Sequence, residues 1–152
     1  MRLARLSALP MLALALAACE SEAEREADAT EDRIEQQADA SAAAAGGAIA
    51  ALGLTETQLL DADLVAADGT DLGDVEQVRR DASGAVSGLL VEVEDSNPDR
   101  YVVVPLTGLT TVARGDDTDL QATMTAEDLA ALPDATLDAA TPAPTATATP
   151  AP

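Results

Sequence analysis

Apolar and polar positions divide the chain into four stretches. Leu6 to Ala18 is almost wholly apolar, with Pro10 in its middle. From Glu20 to Ala45, nine acids and two arginines surround one large apolar residue, Ile34. Good helix formers without an apolar stripe have little to bury, so this stretch predicts a tether, helical in places and frayed in others. A coiled-coil partner helix is the functional alternative, but the heptad seam is absent. Residues 140 to 152 alternate Thr, Ala and Pro, which predicts an extended, solvated tail. Such a tail also has the composition of a Pro-rich recognition peptide or a glycosylated stalk.

Between Thr55 and Asp134 the pattern is that of a folded unit. Thr55-Glu56-Thr57-Gln58 has capping-box spacing and predicts a short helix through Leu59 and Leu60. Leu64 to Ala67 reads as a strand, and Asp68-Gly69 as a hairpin turn. Leu72 to Arg79 follows, with Val75 and Val78 directed inward across an irregular step. Ala85 to Glu94 is the longest strand, where Leu89-Val91-Val93 alternates with Leu90-Glu92-Glu94. Tyr101 to Leu106, Thr110 to Arg114 and a weak Leu120 to Ala122 complete the strands. Thr125-Ala126-Glu127-Asp128 starts a last helix that Pro133 stops. From Leu59 to Leu132 there are 23 large apolar residues, enough for one small core. Short strands at close turn spacing predict a mainly β fold, a small antiparallel barrel with short flanking helices and disordered tails.

Composition narrows the function. The 152 residues carry 28 acids, eight basic residues and no His, for a net charge of -20. Contact with nucleic acid phosphates is therefore repulsive. Lacking His, the chain lacks the commonest general base near neutral pH and the commonest metal ligand. One Cys permits neither an internal disulfide nor a thiolate zinc cluster. No nucleophile elbow or Gly-rich phosphate loop occurs, so neither catalysis nor a cofactor is expected.

Leu16-Ala17-Ala18-Cys19 closes the apolar run behind a basic start, Arg2 and Arg5. The run is shorter than the about 20 residues that span a bilayer. The segment resembles the lipobox of bacterial lipoproteins. That resemblance implies acylation of Cys19, cleavage before it and a durable membrane anchor, since each buried CH₂ contributes about 0.8 kcal/mol. The alternative is an ordinary signal cut near Ala17, with Cys19 incidental. Glu20 rather than Asp follows the Cys, which by resemblance to enterobacterial sorting implies the outer membrane, facing the periplasm. Without the signal's two arginines, six basic residues stand against 28 acids, a net -22. Such acidity fits a saline habitat, or a protein held off an anionic membrane surface.

The expected organisation is thus a signal peptide over 1-18, an acidic Ala-rich tether over 19-54, a folded domain over 55-134 and a Pro/Thr/Ala-rich tail over 135-152. The domain resembles a PRC-barrel. The resemblance rests on Asp63-Leu64 entering the first strand and on Leu72-Gly73-Asp74-Val75, similar to a Gly-x-Val step. It also rests on "DASGAVSGLLVEV", on "YVVVPLTGL" ending its strand at Val-Pro, and on the trailing "MTAEDLAALPDA". Related domains belong to a photosynthetic reaction-centre subunit and a ribosome maturation factor, where they dock partners without chemistry of their own. The resemblance implies a non-catalytic protein-interaction module whose partner is an unidentified envelope protein.

Candidate sites are few. Asp61, Asp63, Asp68, Asp71 and Asp74 suggest calcium, but Val65 and Ala66 occupy positions where an EF-hand needs a ligand and a Gly. Turn chemistry accounts for these acids instead. Asp116, Asp117 and Asp119 form a second acidic loop, the candidate for weak Ca²⁺ or Mg²⁺ binding. Glu92 and Glu94 share one strand face, expected to be the wet side of the barrel. Arg79, Arg80 and Arg100 are expected to pair nearby, and Tyr101 to pack its ring at the barrel end. Three classes of function remain: a docking module, an acidic protective surface lipoprotein without a single partner, and an enzyme or small-ligand carrier. A docking module requires an exposed apolar patch, and a carrier an enclosed cavity.

Overall fold

The computed structural model describes residues 21–115 and 117–137. The expected signal segment, Cys19, Asp116 and the tail from 138 lie outside the described residues.

In chain order the elements are α1 (Glu22–Ala45), β1 (Ile49–Ala51), β2 (Leu54–Thr55), α2 (Glu56–Leu60), β3 (Asp63–Val65) and β4 (Asp71–Arg80). They continue as β5 (Val86–Val93), β6 (Tyr101–Pro105), β7 (Leu109–Arg114), β8 (Asp117–Ala122) and α3 (Ala126–Ala130). β1 and β2 pair with each other, and the other six strands form one sheet in the order β6-β5-β4-β3-β8-β7.

Local chemistry explains most boundaries. Thr55 Oγ1 accepts the Gln58 N–H at 3.2 Å while the Gln58 carboxamide accepts the Thr55 N–H at 3.0 Å. Thr125 and Asp128 repeat this reciprocal box at α3. In the β3–β4 turn Asp68 accepts the Thr70 N–H at 3.1 Å and Gly69 takes φ +85°. The register of β4 against β5 shifts between Val75 and Gln77, and that bulge keeps both Val75 and Val78 facing the core. The core is Leu- and Val-rich as expected, with Leu59, Leu64, Leu89, Val91, Val102, Leu120 and Leu129 at or near zero exposure.

The sheet differs from the antiparallel barrel. β3 and β8 run parallel, with Leu64 opposite Leu120, so the sheet is mixed. β6 and β7 lie at its two ends, and among the described residues they do not pair, so the sheet does not close. The outer side of β6 is covered instead by following chain. Asp134 bridges to Val102, and the Ala135 N–H donates to the Tyr101 carbonyl at 2.8 Å.

The tether expectation also changes. α1 is a continuous helix of 24 residues, with a capping box at Ser21 and Gly46 in the left-handed region at its end. Ile34 and Ala38 are buried, and Ala27, Thr30, Gln37, Ser41 and Ala45 are half-buried along the same side. Small residues at three- and four-residue spacing let the helix lie close to β4 without a large apolar stripe. Gln77 donates to Gln37 across the contact at 3.4 Å.

Covering that face reassigns two residues. Leu90 is fully buried, clustered with Ile34 and Tyr101, so the Leu90–Glu92 side of β5 is not the wet side expected of it. Tyr101 does begin a strand, but its ring packs in this cluster rather than at a barrel end.

Candidate functional site

The structure separates the expected acids rather than gathering them. Asp61 caps α2, Asp68 holds its turn, and Asp71 accepts the Gly73 N–H at 3.2 Å. Asp63 stands opposite Asp74 across β3 and β4. Burial, then the nearby Asp119, Asp71 and Asp74 charges, raise its carboxyl above the usual range. Asp119 is not a loop ligand. It lies within β8, 3% exposed, and its carboxylate meets Arg114 Nε at 2.5 Å. Asp117 is exposed at the start of the same strand. Among the described residues no group of three or more His, Cys, Asp or Glu is arranged to hold a metal ion.

The three arginines are partnered: Arg80 donates locally to the Gly84 carbonyl at 3.2 Å, and all three also reach chain distant in sequence. Arg80 reaches Glu56 at 2.5 Å, tying β4 to α2 with both side chains out of solvent. Arg79 donates to the Thr136 carbonyl at 3.2 Å. Arg100 meets Asp134 at 2.6 Å, the Ala130 carbonyl at 3.1 Å and the Leu132 carbonyl. Together Arg79 and Arg100 fasten the chain after α3 beside β6.

Sequence reasoning missed an acidic seam between α1 and the sheet. Its central residue is Glu76, half-buried on β4. Burial, then the charges of Glu92, Asp74, Glu31 and Glu35, push its carboxyl up to about 7. Burial likewise raises Glu92, offset by a hydrogen bond from the Tyr101 hydroxyl. Burial and Glu92 raise the Tyr101 phenol in turn. Glu94 is exposed beyond the end of β5, and Asp71 leads the charges that raise it. Glu92 and Glu94 are thus not paired in one site. The signal for the seam was Glu31 and Glu35 flanking Ile34, the one residue that fixes which side of α1 faces inward.

Surface clefts follow these contacts. A groove of about 570 Å³ runs beside Ala44, Ala48, Ile49 and Leu106, with Arg80 in its wall already held by Glu56. A second, of about 430 Å³, is lined by Glu35, Asp39, Asp61, Asp63, Asp74 and Glu76. No described helix is long and apolar enough to cross a membrane.

Of the two ends of the six-stranded sheet, β7 is the one left open to pairing among the described residues. Leu109 is buried and Thr110 through Arg114 are exposed. β7 pairs with β8 without a register shift, and among the described residues no strand covers its other side. It holds no Pro and no bulge, two common devices that blunt an edge. Its one charge, Arg114, is neutralised by Asp119. Arg100 through Gly115 is a stretch of sixteen residues without an acid in a chain that has 28.

Compared with known proteins, the chain matches no family model and no curated protein sequence.

Proposed function

We propose that this protein is a membrane-anchored, non-catalytic docking module of the bacterial cell envelope. Acylated Cys19 holds it to the membrane, at the outer membrane facing the periplasm, and the folded domain presents β7 to a partner strand. The domain is PRC-barrel-like in this reading, with an opened sheet. The observation that carries the proposal is the β7 edge, unpaired among the described residues and uncharged except for a neutralised Arg114, on an otherwise acidic molecule. A strand edge offers main-chain donors and acceptors for affinity and alternate side chains for specificity. The lipobox-like segment and the order of the barrel-like motifs support the same reading.

In-cell crosslinking and affinity capture of the full chain tests it. Cys19→Ala and a Thr111→Asp, Ala113→Asp double variant run alongside. A dominant crosslinked product that the edge variant loses supports docking, and release of Cys19→Ala from the membrane fraction supports the anchor. No product above background, with the protein still membrane-bound, sinks docking and leaves an acidic surface lipoprotein without a single partner.

A further inference from the structure

Backbone hydrogen bonding fixes what β7 exposes. The Thr123 N–H donates to the Gly108 carbonyl at 3.1 Å, one step beyond the Leu109–Ala122 pair. In an antiparallel ladder hydrogen-bonded and non-bonded pairs alternate. Thr110, Val112 and Arg114 therefore spend their backbone groups on β8. The N–H and C=O groups of Thr111 and Ala113 point outward, two donors and two acceptors with no strand beside them among the described residues.

This pattern is self-complementary. Turn a second β7 antiparallel about an axis at Val112, and Thr111 of each copy faces Ala113 of the other. All outward donors and acceptors of both residues are then satisfied. Val112, 37% exposed in the single chain, meets its own symmetry mate. Thr110 faces Arg114, and the flanking residues back to Pro105 contain no acid. Two copies at net -20 repel, and an acid-free segment such as this one lets them approach. The opposite edge offers no such match, because Asp134 and Ala135 cover β6.

We infer that the partner of β7 is a second copy of this chain, joined through an antiparallel β7–β7 pair centred on Val112. The inference rests on the docking reading and names its partner. A twofold pair is the commonest closed assembly and uses one patch twice. Anchoring both copies to one membrane raises their effective concentration.

The test uses the full-length chain. Val112→Cys places two thiols on a non-hydrogen-bonded pair, where Cα atoms lie about 4.5 Å apart and a disulfide can close. Val103→Cys, on the covered edge, is the matched control. Mild oxidation in cells is expected to give a product of twice the chain mass from Val112→Cys, at least tenfold over Val103→Cys. The detergent-extracted wild type is expected to sediment as a dimer. Val112→Arg, which sets two like charges on the axis, is expected to raise its dissociation constant at least tenfold. Products joining Val112→Cys only to other proteins would overturn the second copy and leave docking standing. No product of any mass, with a monomeric wild type, would overturn both.

Discussion

Arg80 on β4 meets Glu56 on α2 at 2.5 Å, and the two side chains are 9% and 1% exposed. Glu56 Oε1 and Arg80 Nε are buried without a hydrogen-bond partner, so the pair is joined at a single point. Removing one partner leaves the other charge stranded. Glu56→Ala is expected to cost about 3 kcal/mol. Replacing both by apolar residues of similar volume, as in Glu56→Leu with Arg80→Met, is expected to recover most of that loss. Urea unfolding of the two variants against wild type checks this. A double variant no better than Glu56→Ala would mean that packing, not charge, sets the cost.

Gly73 answers a backbone demand. Its φ is +145°, and an added Cβ would lie 1.8 Å from the Glu92 carbonyl oxygen on β5. That oxygen belongs to the β4–β5 ladder and cannot retreat without parting the strands. Gly73→Ala is expected to destabilise the fold by at least about 3 kcal/mol. Gly84, also at positive φ but with nothing near its would-be Cβ, supplies the comparison. Gly84→Ala is expected to cost about 1 kcal/mol. Equal losses at the two sites, by thermal or urea unfolding, would remove the close approach as the cause.

α1 is held by one large side chain. Ile34 is 4% exposed and clusters with Leu90 and Tyr101, while the rest of the stripe is Ala, Ser, Thr and Gln. Ile34→Ala is expected to weaken docking by about 2 kcal/mol, a roughly thirtyfold rise in opening. Hydrogen exchange should quicken across Glu22–Ala45 while β4 and β5 keep their protection. Quickening of the whole sheet would show that α1 is integral to one cooperative unit.

Features set within a few residues were legible in the sequence. Both Thr capping boxes, the Asp68-Gly69 turn and the inward pair Val75 and Val78 rest on neighbours along the chain. Relationships between distant segments were less so. The 3.6-residue stripe of α1 is built from small residues, which a search for large apolar side chains passes over. The parallel β3–β8 pair depends on which strand β8 reaches after leaving β7, and local pattern does not encode that. Candidate chemistry followed the same division. That the arginines would be paired was readable from the acidic surroundings, but the partners Glu56, Asp134 and Thr136 come from remote turns of chain. Glu76 gave no signal because its environment is made by α1 docking.

That environment makes stability depend on pH. Glu76 faces Glu31 and Glu35 from α1, Glu92 from β5 and Asp74 from its own strand, and its carboxyl rises from an ordinary 4.5 to about 7. A raised acid favours the proton in the folded state. The stabilisation from that proton is fully present below the unfolded value, near 4.5, and is lost as pH climbs through about 7. The full shift would be worth about 3 kcal/mol. Because the side chain is only partly buried and solvent screens it, about 1–2 kcal/mol is the expected size. Glu76→Gln keeps the shape and removes the titration. It is expected to match wild type at pH 4 and to exceed it at pH 8 by that amount. Exchange in α1 should slow most, because the repulsion lies along its contact. Urea unfolding of both proteins at pH 4, 6 and 8 reads the difference. Curves that stay parallel across that range would show that other carboxylates, not Glu76, govern the loss.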